Sequence, residues 1–274
     1  MKERFMKERL MWGDKIKIPF YQIDAFTSEQ FKGNPAGVCV LDKWIEDGLM
    51  QNIAAENNLS ETAFFVKKAD GYELRWFTPK GEVDLCGHAT LATAYVIFNY
   101  LNRDLKKIRF STKSGILEVT KKDDLLTMLF PSRRGKKCYI PDSLVKGLGK
   151  VPKEVYKSRD YMAVFDTEED ILNLKLNMDE LKKLDGAGVI VTAKGNEVDF
   201  VSRFFAPNLG VDEDPVTGSA HCTLVPYWKD VLNKDEFVAL QLSDRGGKLY
   251  CKYLGDMIEI SGEAVAYLEG YIFV

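Results

Sequence analysis

From Ile16 onward, short runs of alternating or continuous apolar residues follow one another, broken by polar turns. Ile16–Phe26 alternates and is rich in aromatic and β-branched residues, the pattern of a strand. Ala36–Leu41, Leu59–Val66 and Tyr72–Phe77 read as further strands, and Lys107–Ser111, Ile116–Lys121 and Leu125–Phe130 as three more. Between them, Trp44, Ile45, Leu49, Met50, Ile53 and Ala54 recur at helical spacing, with Asp42 as the expected cap. A second helix is predicted from His88, apolar nearly all round and therefore expected inside other structure.

The later chain repeats this rhythm. Short elements cover Tyr161–Phe165, Asp166–Leu172, Met178–Leu184 and Gly188–Thr192, and a strand covers Asp199–Phe205. An acidic loop then leads into an apolar helix over Ser219–Leu232, and four strand-like runs, Phe237–Leu242, Lys248–Tyr253, Met257–Ser261 and Ala264–Phe273, finish the chain. Many short strands with one buried helix in each half point to an α+β fold, not a βαβ sheet. The basic stretch Pro131–Lys137 suits a linker. The expected division is a frayed extension over 1–15, an N-terminal lobe over 16–132 and a C-terminal lobe over 133–274, with the last strand free to cross back to the first lobe.

An internal repeat supports two similar lobes. Arg75-Trp76-Phe77-Thr78-Pro79 matches Arg203-Phe204-Phe205-Ala206-Pro207, at an offset of 128 positions. Each is followed by an acidic loop, a glycine and an apolar helix. Gly87 falls opposite Gly218 at an offset of 131, so the second loop is three residues longer. A helix start leaves backbone N–H groups unpaired, and these favour an anion. Two such starts facing one cleft could hold a small carboxylate substrate without any arginine.

Bulk properties narrow the partners. A net charge of −3 implies no basic face and points away from nucleic acid. No apolar run is long enough to span a bilayer. The five cysteines are odd in number, widely spaced and never in a C-x-x-C pair, as expected of free thiols in a cytoplasmic protein. No zinc-ligand spacing appears.

Three stretches carry candidate chemistry. Asp84–His88 packs a carboxylate, a thiol and one of only two histidines before the buried helix. His88 is a candidate acid/base or substrate ligand; Cys86, two residues from it on a tight turn, is a poor nucleophile–base pair with it. In the second loop, Asp212 and Glu213 read as surface charge and Asp214 as the carboxylate opposite the Asp84 region, placed in the cleft. Glu61 lies in an otherwise apolar strand, either on its solvated face or in a dry pocket that would raise its pKa and suit a proton shuttle.

Gly33-Asn34-Pro35-Ala36-Gly37-Val38, Ser60-Glu61-Thr62-Ala63-Phe64, Asp84-Leu85-Cys86-Gly87-His88-Ala89-Thr90 and Glu213-Asp214-Pro215-Val216-Thr217-Gly218-Ser219-Ala220 together resemble the phenazine-biosynthesis PhzF family. The resemblance runs from about Ile18 to the C-terminus. It implies a diaminopimelate-epimerase-like fold of two pseudo-symmetric lobes, each an open barrel of strands around a central helix. It also implies an isomerase without metal or organic cofactor, often a homodimer, in which a glutamate moves a proton between carbons. Carried across, Glu61 matches the acid/base, His88 a substrate contact, Asp214 the second-loop aspartate and Ser219 the serine of the second helix start, while Gly87 and Gly218 would offer backbone N–H groups. Epimerases of this fold use a cysteine at each helix start; here Cys86 stands near one, and Pro215, Val216 and Thr217 stand at the other. A thiol-dependent racemase or a non-catalytic binding protein remain the alternatives.

Overall fold

A computed structural model describes residues 16–274. The extension expected over 1–15 lies outside the described residues.

The first half forms β1 (Lys17–Ala25), β2 (Asn34–Leu41), α1 (Asp47–Asn57), β3 (Glu61–Lys68), β4 (Gly71–Thr78), the short β5 (Gly81–Val83), α2 (Gly87–Val96), β6 (Lys107–Thr112), β7 (Gly115–Lys122) and β8 (Leu125–Pro131). The second forms β9 (Lys136–Cys138), α3 (Asp142–Leu148), β10 (Glu154–Lys157), β11 (Tyr161–Val164), α4 (Glu168–Leu172), α5 (Met178–Leu181), β12 (Val189–Lys194), β13 (Phe200–Phe205), α6 (His221–Leu232), β14 (Glu236–Gln241), β15 (Gly247–Tyr253), β16 (Met257–Gly262) and β17 (Ala264–Phe273).

Strand pairing repeats between the halves. The series β1-β2-β3-β4-β6-β7-β8 pairs as antiparallel, parallel, antiparallel, parallel, antiparallel, antiparallel. The series β10-β11-β12-β13-β14-β15-β16 pairs in the same order and sense. The two series join where β8 runs antiparallel to β16, and β17 runs antiparallel to β1. The fold is the α+β mixture the sequence predicts.

α2 is buried along almost its whole length, from His88 to Ala94 and at Val96. It packs on β1, β2, β3, β8 and β17. Truncating its fully buried Leu91 to alanine would cost on the order of 2–5 kcal/mol. α6 packs on β15 and β16 and holds a proline, Pro226. Proline has no N–H to give the carbonyl four residues back. That carbonyl, of Cys222, instead accepts the Arg133 amide at 2.8 Å, which fastens the chain entering the second half to α6.

α1 starts later than the periodicity predicts. Asp42 caps nothing; the helix begins at Asp47 after Glu46. Trp44 and Ile45 precede the helix and still pack on the cluster formed by Met50, Ile53, Phe64 and Phe77. Burial of the two side chains is satisfied without helix, and Trp44 Nε1 is anchored by donating to Glu73 Oε2 at 2.6 Å.

Among the described residues, no helix is long and apolar enough to cross a membrane.

Candidate active site

Glu61 is the first residue of β3, paired with Ala36 of β2, and His88 is the second residue of α2. Sheet and helix bring Glu61 Oε2 to 3.1 Å from His88 Nε2, with both side chains largely buried. The contact is an ion pair and not an aligned hydrogen bond, so both atoms remain without a directed partner. Cys86 Sγ lies 3.5 Å from His88 Nδ1. An imidazolium suits this setting, with its Nδ1–H toward the thiol sulfur and its charge beside the carboxylate.

Burial opposes charge on both partners, but mutual attraction prevails. For His88, burial pulls downward, yet Cys86 and Glu61 hold its pKa well above the ordinary value. For Glu61, burial pushes upward, yet the charge of His88 and contacts with His88 and Cys86 hold its pKa below the ordinary value. The dry-pocket reading of Glu61 expects the reverse, because nothing in the strand pattern marks a cation beside it. The Cys86 thiol is pushed up, first by burial and then by Glu61.

Asn34, the first residue of β2, connects this pair to the second half. Its Nδ2 packs 3.3 Å from His88 Nδ1, a contact and not a hydrogen bond while that nitrogen carries its proton, and it donates to Asp214 Oδ1 at 2.8 Å and to the Val216 carbonyl at 2.9 Å. Asp214 also accepts from the Thr217 hydroxyl. Gln241 donates to the Asp214 carbonyl at 2.7 Å and accepts the Thr217 amide at 2.8 Å. Burial raises the Asp214 pKa, against the pull of His88 and of these hydrogen bonds.

The loop that delivers Asn34 is fixed by backbone geometry. Gly33 has φ +63°, and a Cβ there would lie 2.2 Å from the Ala25 carbonyl oxygen. Its amide donates to the Gly246 carbonyl at 2.8 Å. Arg245 donates to the Gly33 carbonyl at 2.8 Å and to buried Asp24 at 2.8 Å, so the β14–β15 connection clamps the loop from the other half.

The Gly218–Ala220 turn, which opens the second helix, packs against α2. Gly87 opens α2 and Gly218 opens the turn, and a Cβ on either would touch a phenylalanine ring at 3.5 Å, Phe130 and Phe26 respectively. Ser219 accepts from Arg159 Nη2 at 3.3 Å. An arginine therefore does stand at the second helix start, held by buried Asp160 at 2.8 Å. It comes from the β10–β11 turn, far from the loop in sequence, and carried no signal.

The duplicated arginines fix the repeat's register. Arg75 makes a two-point ion pair with Glu82, and Arg203 makes the same pair with Glu213. Glu82 and Glu213 are 131 positions apart, so the three extra residues fall before Glu213. Glu213 is thus structural, not a free surface charge, and Asp214 stands opposite Val83. Asp84 is exposed, with its carbonyl on Ser114 Oγ at 2.7 Å. In the same register Thr217 faces Cys86, and each immediately precedes its helix start. His221 is buried, with Nδ1 3.0 Å from the Thr217 carbonyl and its pKa pushed down to about 4 by burial. It is a neutral packed side chain.

Glu61, Cys86 and His88 also bring one oxygen, one sulfur and one nitrogen within 4.8 Å of one another, a set of metal-ligand type. The local sequence hid it, because Glu61 is 25 positions from Cys86. Two surface clefts, of about 380 and 220 Å³, are lined by none of Glu61, Cys86, His88, Asn34 and Asp214. Their cations are already taken, Arg75 by Glu82 and Arg134 by Asp230.

A family model described as phenazine biosynthesis-like protein matches residues 23–270. An uncharacterized isomerase of Pseudomonas aeruginosa is 49% identical over 255 residues, covering 93% of this chain and 98% of that protein. The crystal structure of a PhzF-family phenazine biosynthesis protein from Enterococcus faecalis has a TM-score of 0.93 at 47% identity, covering 94% of this chain and 100% of that one. A hydroxyproline epimerase from Agrobacterium vitis, with trans-4-hydroxy-L-proline bound, shares the fold at a TM-score of 0.66 and 9% identity, covering 96% of this chain and 94% of that one. Match, identity and coverage agree: the chain belongs to the phenazine biosynthesis-like (PhzC/PhzF) family.

Proposed function

We propose that this chain is an isomerase that moves a proton between carbons of a small carboxylate substrate, with Glu61 as the acid/base and no cofactor. The observation that carries the reading is the buried Glu61–His88 contact at 3.1 Å, linked through Asn34 to Asp214. The isomerase name of close relatives supports the reaction class.

In the free protein His88 keeps Glu61 ionised, so the carboxylate is ready to accept a proton. A substrate entering between them separates the ion pair. Burial then acts on Glu61 unopposed and raises its basicity toward that needed to take a proton from carbon. The backbone N–H groups at Gly87 and Gly218 hold the substrate carboxylate. His88 and Asp214, both tied to Asn34, orient a polar group of the substrate or return a proton at the second position. Ser219 with Arg159 lines the far side of the anion cradle. The thiol-racemase reading loses ground because Thr217, not a second cysteine, faces Cys86, and burial keeps the Cys86 thiol protonated.

The test is incubation in D₂O with a panel of small carboxylic acids, following loss of carbon-bound hydrogen by NMR. Wild type exchanges at least one acid, and Glu61→Gln slows that exchange by about 10²–10⁴-fold. Equal rates for the two proteins would remove Glu61 from the role.

A further inference from the structure

Cys86 has no part in this proton chemistry, yet it places a free thiol against both groups that do. We propose that Glu61, Cys86 and His88 double as a binding site for a thiophilic divalent cation of the zinc class, and that an ion bound there silences the enzyme. The second half of the statement rests on the proposed function; the first half does not.

Two observations carry it. The donors are a carboxylate oxygen, a thiol sulfur and an imidazole nitrogen, the set that zinc selects, and they lie within 4.8 Å of one another. Glu61 Oε2 and His88 Nε2 are buried without a directed hydrogen bond, so binding an ion there breaks no aligned one. Three protein ligands with a fourth position left open are an ordinary zinc arrangement. Zinc bonds of about 2.0–2.3 Å require the donors to draw in by roughly an ångström, a movement within reach of a thiol and a ring that turn about single bonds.

Binding displaces the thiol proton and any proton on the coordinating ring nitrogen, and these leave to solvent. With the ion in place, the Glu61 oxygen that would meet the substrate proton is occupied.

Metal-stripped protein is titrated with Zn²⁺ against a chromophoric chelator, and separately with Co²⁺ as a spectroscopic stand-in. Wild type is expected to bind one ion per chain and to show a thiolate-to-cobalt charge-transfer band. Cys86→Ser should lose the band and bind at least 100-fold more weakly, and Cys86→Ala should do the same, with folding checked by circular dichroism. Cys138→Ser, which alters a half-buried thiol away from the site, should bind as wild type does. No binding by wild type, or full affinity in both Cys86 variants, overturns the proposal. For any acid that exchanges in D₂O, Zn²⁺ at one equivalent should stop exchange by wild type; tight Cys86-dependent binding with undiminished exchange overturns the silencing. If no acid exchanges, the proposed function fails while the cation titration still decides the site.

Discussion

Replacing His88 by glutamine leaves Glu61 buried without its cation, and the cost depends on pH in a defined way. In wild type, Glu61 has a folded pKa below its unfolded value near 4.5, so its stabilisation is present above that value and lost as pH falls through the folded pKa. His88 has a folded pKa well above its unfolded value of 6.5, so its stabilisation is full below 6.5 and lost as pH rises toward the folded pKa. Both contributions are therefore full between about pH 5 and 6.5. In His88→Gln only burial and the weak Cys86 contact act on Glu61, burial wins, and its pKa rises above the unfolded value. The variant then loses stability as pH rises past about 4.5. Removing one partner of a buried ion pair costs about 3–5 kcal/mol. The low end applies, about 3 kcal/mol, because the glutamate can take up a proton instead of staying charged. Urea unfolding should show this gap near pH 6.5 as a lower midpoint with unchanged slope, closing to within about 1 kcal/mol near pH 4 and narrowing again at alkaline pH. Carbon NMR of the Glu61 carboxyl should report its raised pKa. Equal midpoints at pH 6.5, or a gap that is flat across pH, would refute the coupling.

Three further outcomes follow from the packing. Gly33→Ala should lower stability by at least 1–3 kcal/mol in a thermal melt, because a left-handed φ and a clash with the Ala25 carbonyl are imposed together. Arg245→Met should cost about 2 kcal/mol by urea unfolding, discounted for the partly exposed guanidinium, since it strands buried Asp24 and frees the loop carrying Asn34. Brief iodoacetamide treatment followed by peptide mass analysis should label Cys138 first and Cys86 slowly, since Cys86 is buried, whereas Cys138 is half-buried.

Much of the fold was legible because its elements are short and periodic. Ala264–Phe273 forms a strand over the predicted residues, and the arginine motif at Arg75 and Arg203 marked a duplication that strand pairing repeats in full. The start of α1 was not legible, because Trp44 and Ile45 bury their side chains from an extended segment and so mimic helical spacing. Within the site, His88 and Asp214 stood out as polar residues beside glycine and proline at helix starts. Glu61 gave a weak local signal, and its partner lies 27 positions away, so the sign of its pKa shift depended on a contact that strand pattern does not encode. Asn34 was visible only within the Gly33–Val38 motif, with no role attached to it. Gln241 and Arg159 gave nothing, since each reaches the second loop from an element remote in sequence.

The idea that one buried carboxylate carries one proton can be decided by a single labelling experiment. An acid that exchanges is deuterated at the exchanging carbon and carried through one turnover in ordinary water, and the product is weighed by mass spectrometry. A carboxyl that returns its proton before exchange with solvent is complete should deliver part of that deuterium to the new carbon. Product free of deuterium, formed as fast by Glu61→Gln as by wild type, would contradict it.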